Sequence, residues 1–98
     1  MTADVVVRDH PDASRYEARV GDQVAGFSRY VLADGVFVFT HTEVDPAFEG
    51  QGVGGTLVRG ALDDVRRRGA RVVAQCPFVH AFIDDHPEYQ DLVTSLPR

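Results

Sequence analysis

The segment Glu49-Gly50-Gln51-Gly52-Val53-Gly54-Gly55-Thr56 constrains this chain more than any other, because four of its residues are glycine and an amphipathic stretch grows directly out of it. Val53, Leu57, Val58, Ala61, Leu62 and Val65 fall on one stripe, with Arg59, Asp63, Asp64 and Arg66 off it. That spacing predicts a helix from about Val53 to Arg68. Gly69 is its expected C-cap, and Arg66-Arg67-Arg68 suits the negative end of the helix dipole. A helix that begins on glycines turns unpaired N–H groups and its positive dipole end outward, and such a place attracts phosphate.

What precedes the glycines reads as strands joined by tight turns. Tyr16, Ala18 and Val20 alternate with Arg15, Glu17 and Arg19, the period of a half-buried strand. Gly21-Asp22 supplies a hairpin turn, Gln23 to Leu32 the partner strand with Gly26 as a bulge or point of close backbone approach, and Asp34-Gly35 the next hairpin. In Val36 to Val44, both faces are apolar up to Phe39, and then Thr40, His41, Thr42 and Glu43 turn polar. A strand covered at one end and opening into a cleft at the other gives this pattern. Beyond the helix, Arg71 to Gln75 reads as a short strand. Pro77 begins a second helix with the stripe Phe78, Val79, Phe82 and Ile83, ended near His86-Pro87.

A helix joining two strands by a crossover makes those strands parallel. The expectation is a single α+β domain over residues 1–98, with a mixed, mainly antiparallel sheet and a central crossover helix. At 98 residues the core must be compact and any site must lie at the surface. The 44% hydrophobic and 26% charged fractions are those of a globular protein. Fifteen acidic residues against ten basic ones, net −5, argue against nucleic acid as a partner. No apolar stretch approaches the ~20 residues that cross a bilayer, and Met1-Thr2-Ala3-Asp4 has no signal-peptide pattern, so a cytoplasmic protein without a membrane partner is expected. The one cysteine, Cys76, suits a reducing compartment, and no metal constellation is present: His80 and Asp84 are two ligands at most.

Three phosphate ligands compete for the glycines. Gly50, Gly52 and Gly55 satisfy G-x-G-x-x-G, yet the acidic residue that dinucleotide folds place ~20 positions on is replaced by Val73-Ala74-Gln75-Cys76. A nucleotide P-loop would need Gly-Lys-Ser/Thr, which does not follow. The third ligand is a diphosphate on a helix N-terminus beside a cleft, which coenzyme A presents. The plain alternative is a tight turn that serves only close helix packing.

The run from His41-Thr42-Glu43-Val44-Asp45-Pro46-Ala47-Phe48 into Glu49-Gly50-Gln51-Gly52-Val53-Gly54 resembles the strand, loop and helix start of the GNAT superfamily of N-acyltransferases, whose motif is Gln/Arg-x-x-Gly-x-Gly/Ala. Gly52 and Gly54 fill the two small positions, while the leading position is Glu49, a carboxylate that must point away from a diphosphate. With Cys76-Pro77-Phe78-Val79 and His86-Pro87-Glu88-Tyr89, the chain is similar to the short single-domain members from Val5 to Val93.

The resemblance implies an acetyl-CoA-dependent N-acetyltransferase acting on an amine of a small molecule or peptide, or alternatively a non-catalytic coenzyme-binding or regulatory module. It implies a coenzyme site at residues 49–56, a backbone N–H of Val44 that holds the thioester carbonyl, and Phe78 beside the pantetheine arm. Glu43 and His41, two apart on a strand and therefore on one face, are candidates to take the amine's proton; Glu43 is nearer the loop, and histidine as a residue type titrates near neutrality. Each is equally readable as a solvated strand end. Cys76 falls where a strand ends and a helix begins, a place that favours a thiolate. It is a candidate to protonate the leaving thiolate or to take the acetyl group, against the plain reading of a small buried side chain. Tyr89 is a second candidate acid. The acceptor and the oligomeric state stay open.

Overall fold

The structure, a computed structural model, describes residues 4–95. Five strands lie in sequence order: β1 (Val6–His10), β2 (Arg15–Val20), β3 (Gln23–Ala33), β4 (Val36–Val44) and β5 (Arg71–Ala74). The first four pair antiparallel, and β5 joins β4 in parallel. Helix α1 (Val53–Arg67) makes that crossover, and α2 (Pro77–Asp85) follows β5. The mixed sheet with its crossover helix is therefore the expected α+β architecture. Strand β1 was not foreseen: its Val-Val-Arg is short, and Ser14 then adopts a left-handed conformation (φ 52°) that ends the 3-10 turn Pro11–Ala13.

The apolar stripe of α1 lies on one face of the sheet, where Leu57, Val58, Ala61, Leu62 and Val65 meet Tyr16, Tyr30, Phe37 and Phe39. Each buried Leu, Val or Phe among them contributes about 1.5–3 kcal/mol. Val79 and Ile83 of α2 join the same cluster. Both helices thus cover one face, and the opposite face, which carries Phe27, Arg29, Val31, His41 and Glu43, has no helical layer. Gly69 (φ 67°) ends α1, with its own N–H on Arg66 O and that of Ala70 on Val65 O.

Two irregularities set which residues face which side. In β3, Ala18 pairs with Gly26 but Arg19 with Val24, so Ala25 is an extra residue. In β4, Tyr30 pairs with Phe39 but Arg29 with His41, so Thr40 is extra. The Thr40 bulge reverses the alternation of β4: Phe39 faces the helices, and beyond the bulge His41 and Glu43 face away while Thr42 faces in. Gly26 is a place of close approach, since a Cβ there would stand 2.8 Å from the Glu43 carbonyl oxygen.

Polar groups at the rim of the core are paired. Tyr16 donates to Asp64 at 2.6 Å and Tyr30 to Asp9 at 2.7 Å, while Arg68 bridges Asp9 and Asp64 at 2.9 Å each. Burial first, and then these carboxylates, push both tyrosine hydroxyls well above their ordinary value. Burial raises the Asp64 carboxyl, but Tyr16, Arg67 and Arg68 outweigh it and hold it low. Glu17 lies on the polar face expected for it but not in solvent: only 4% exposed, it is held by Arg15 and Arg19 at 2.8 and 2.9 Å. Burial raises its carboxyl too, and the two guanidiniums bring it below the ordinary value.

Candidate functional site

The glycine segment forms a cradle of free donors. Gly50 and Gly52 have φ of 79° and 76°, a conformation in which a side chain is strained. Helix α1 begins at Val53, and its ladder begins when Thr56 N–H donates to Gly52 O at 3.1 Å. Among the described residues, none of the six N–H groups from Gly50 to Gly55 donates to a protein acceptor. The Thr56 amide is thus already used, a correction to its place among the donors, and it offers only an exposed side chain. Glu49 also supplies no amide, since its N–H is on Pro46 O at 3.3 Å, and its carboxylate is exposed. Gln51 is exposed, while the Val53 side chain lies in the core.

Phe78 stands against this cradle. A Cβ on Gly54 would be 2.6 Å from the Phe78 ring, so the glycine is what lets α2 bring the ring, 44% exposed, onto the start of α1. The cradle thereby gains one apolar wall.

Beside it the sheet opens. Strand β5 pairs with β4 only from Val36 to Phe39, and the last link is Cys76 N–H on Phe39 O at 2.8 Å. Asp45 N–H donates to Ala25 O at 2.8 Å, which makes Val44 and Gly26 a non-hydrogen-bonded pair. The Val44 N–H therefore points away from β3, toward the edge that β5 has left.

The three candidate catalytic side chains divide between the two faces of β4. His41 Nε2 and Glu43 Oε1 meet at 3.0 Å on the helix-free face, both more than half exposed. Glu43 lines a cleft of about 550 Å3 together with Arg15, Phe27, Val44 and Asp45. Cys76, 2% exposed, lies on the helix-covered face as N-cap of α2. Its Sγ donates to Thr42 Oγ1 at 3.3 Å, and Thr42 Oγ1 is 2.9 Å from Ser28 Oγ. The structure thus brings His41 to Glu43 and Cys76 to Thr42, with the strand between the pairs. Sequence reasoning missed Thr42 and Ser28, although Thr42 stands between His41 and Glu43 on an alternating strand.

Tyr89 is elsewhere. Its hydroxyl donates to Asp63 at 2.7 Å and accepts from Arg59 at 3.2 Å on the flank of α1, and burial and Asp63 raise it above its ordinary value. A buried hydroxyl already engaged in this way is not poised as an acid. The arginine run likewise does more than oppose the dipole: Arg66 holds Asp91 and the Glu88 carbonyl, Arg67 holds Asp64, and Arg68 holds Asp9. Among the described residues no helix is long and apolar enough to cross a membrane, and no cluster of three or more metal-ligating side chains occurs.

In fold, the chain is similar to a GCN5-like protein from Staphylococcus aureus known from its NMR solution structure, with a TM-score of 0.67 at 19% identity over 99% of this chain and 93% of that one. No curated protein matches the sequence. The model of the GCN5-related N-acetyl-transferase family matches residues 15–92, which include the glycine cradle, the open edge of β4 and Cys76. This chain belongs to the GCN5-related N-acetyl-transferase family.

Proposed function

We propose that the protein transfers an acetyl group from acetyl-CoA to an amine of a small molecule or peptide. The observation that carries this reading is the set of six unengaged amides from Gly50 to Gly55 beside a strand edge where the Val44 N–H is also free. Such amides with a helix dipole behind them suit a diphosphate, and Phe78 suits the adjoining pantetheine chain. When bound, the coenzyme would supply a thioester whose carbonyl carbon accepts the nucleophile.

The chain's own residues would then do three things. The Val44 N–H receives the carbonyl oxygen and stabilises the charge that develops on it. Glu43, steadied by His41, takes the proton of an amine that enters by the cleft on the helix-free face. Cys76, under the same opening on the other face, returns a proton to the departing sulfur. The amine nitrogen forms the new bond to the acetyl carbon as the carbon–sulfur bond breaks, and the net proton passes from amine to thiol. An acetyl group carried on Cys76 is the alternative route for the same balance, and mass spectrometry of acid-quenched protein separates the two.

The test has two parts. Coenzyme A in excess should raise the melting temperature, because a ligand that binds only the folded state stabilises it by RT ln(1 + [L]/Kd). Acetyl-CoA with a panel of amines should release free thiol above the uncatalysed rate. Stabilisation without turnover would favour a coenzyme-binding or regulatory module, and no stabilisation would remove the reading altogether.

A further inference from the structure

The cleft on the helix-free face is polarised. At its β4 end stand Glu43 and Asp45; across Phe27, at its other end, stands Arg15. The Arg15 guanidinium lies over the Phe27 ring at 4.7 Å from the centroid, and that of Arg29 lies at 5.7 Å. Arg15, Arg29 and His41 are register partners in one row across β2, β3 and β4. Neighbouring strands are ~4.8 Å apart, so the row spans about 10 Å from end to end, within the compass of one small molecule.

These cations are not balanced within the chain. Glu17 is the sole carboxylate bonded to Arg15 among the described residues, and it is shared with Arg19. Arg29 forms no salt bridge among the described residues, although it stands beside Arg15 on the same ring. A protein of net charge −5 thus gathers Arg8, Arg15, Arg19 and Arg29 on the sheet face where His41 and Glu43 point. Two guanidiniums on one aromatic ring repel each other, and an anion between them relieves that repulsion while accepting charge-assisted hydrogen bonds.

We infer that the acceptor is an amine that carries a carboxylate, with its amine end at Glu43 and Asp45 and its carboxylate at Arg29 and Arg15 astride Phe27. The inference rests on the acetyl-transfer reading above, since it assigns the substrate class of that cleft. A plain alkylamine fills only the acidic end. A diamine brings a second cation to a pair of arginines and is disfavoured.

The experiment compares aminovalerate, pentylamine and pentanediamine as acceptors, with kcat/KM from thiol release, on the wild type, Arg29→Ala and Arg29→Glu. Coenzyme stabilisation is measured on the same samples, and the Phe27 ring resonances are followed during titration with each amine. The expected result is a preference for aminovalerate over pentylamine of roughly tenfold or more, the size of one charge-assisted hydrogen bond. The preference should fall to about one in Arg29→Ala and turn toward the diamine in Arg29→Glu. Equal rates for the three amines, a wild-type preference for the diamine, or a preference that survives Arg29→Ala would overturn the inference. If none is turned over although the coenzyme binds, the acetyl-transfer reading fails. The ring resonances then decide this inference separately: a shift with aminovalerate that is absent in Arg29→Ala supports the anion site, and no shift overturns it.

Discussion

The Thr42 hydroxyl accepts a hydrogen bond from the Cys76 thiol at 3.3 Å and stands 2.9 Å from the hydroxyl of Ser28, a residue with no exposure. Thr42→Val therefore strips a fully buried hydroxyl of its partner as well as freeing the thiol. An unpaired buried polar group costs about 1–3 kcal/mol, so urea unfolding should show a loss of that size. Thr42→Ser keeps the hydroxyl and should recover most of it. Equal stability of Thr42→Val and the wild type would mean that the contact stabilises nothing.

Gly52 carries φ of 76° at the start of α1. A residue with a Cβ pays about 1–2 kcal/mol in that conformation, so Gly52→Ala should melt lower than the wild type. Relaxation of the strain would turn the neighbouring amides out of the cradle. The melting shift produced by coenzyme A should therefore shrink beyond what the lower stability explains, read by calorimetry at several coenzyme concentrations.

Glu49 places an exposed carboxylate at the mouth of the cradle without contributing an amide. Under the proposed coenzyme site, Glu49→Gln removes a like charge from beside the diphosphate. Surface interactions of this kind are worth about 0.3–1 kcal/mol, so the dissociation constant for coenzyme A should fall about two- to fivefold at low salt, with the gain fading as salt rises. Isothermal titration at two ionic strengths checks both points.

Glu43→Gln should separate rate from binding. Loss of a general base costs about 10²–10⁴-fold in turnover, while the amides proposed to hold the coenzyme lie in another segment. Thiol release should collapse while the coenzyme-induced melting shift stays. A variant that turns over normally would move the role of base away from Glu43, with His41→Asn the next to be assayed.

Acid should reveal the buried Glu17. Its carboxyl is held below the ordinary value of 4.5, so its contribution to stability is complete above about pH 4.5 and disappears as the pH falls through the lower folded value. At neutral pH Glu17→Gln should cost about 1 kcal/mol, a figure discounted because Arg15 and Arg19 are partly in water. The difference in melting temperature between wild type and variant should close toward pH 3. A gap that stays constant with pH would show that packing, and not charge, is what Glu17 supplies.

The strands from Arg15 to Val44, the crossover helix, its glycine cap and the second helix were all legible, because each rests on local signals: alternation, a helical stripe, or glycine at a turn. Val36 to Val44 even announced its half-covered, half-open character through the switch at Thr40. Strand β1 was not legible, since Val6-Val7-Arg8 does not alternate and only pairing with β2 makes it a strand. Glu17 was assigned to solvent by the same alternation that placed Tyr16 and Ala18 correctly. Nothing local says that Arg15 and Arg19 will fold over it. At the site, the cradle followed from glycine chemistry, but the division of His41 and Glu43 from Cys76 did not, because it depends on an extra residue in a ladder. Tyr89 was misread for a related reason: its partners, Arg59 and Asp63, are about thirty positions away in sequence.

The bulge at Thr40 makes the chemistry of this strand a matter of counting. Were Thr40 taken into the ladder as an ordinary paired residue, strict alternation would exchange the inside for the outside: a histidine and a glutamate would be driven under the helices, and a threonine would meet solvent. Selection on such a site would act on how the ladder absorbs one extra residue as firmly as on side-chain identity, and a one-residue gap at Thr40, which leaves His41 and Glu43 on their present face, should be easier to tolerate than a gap at a paired position beside it.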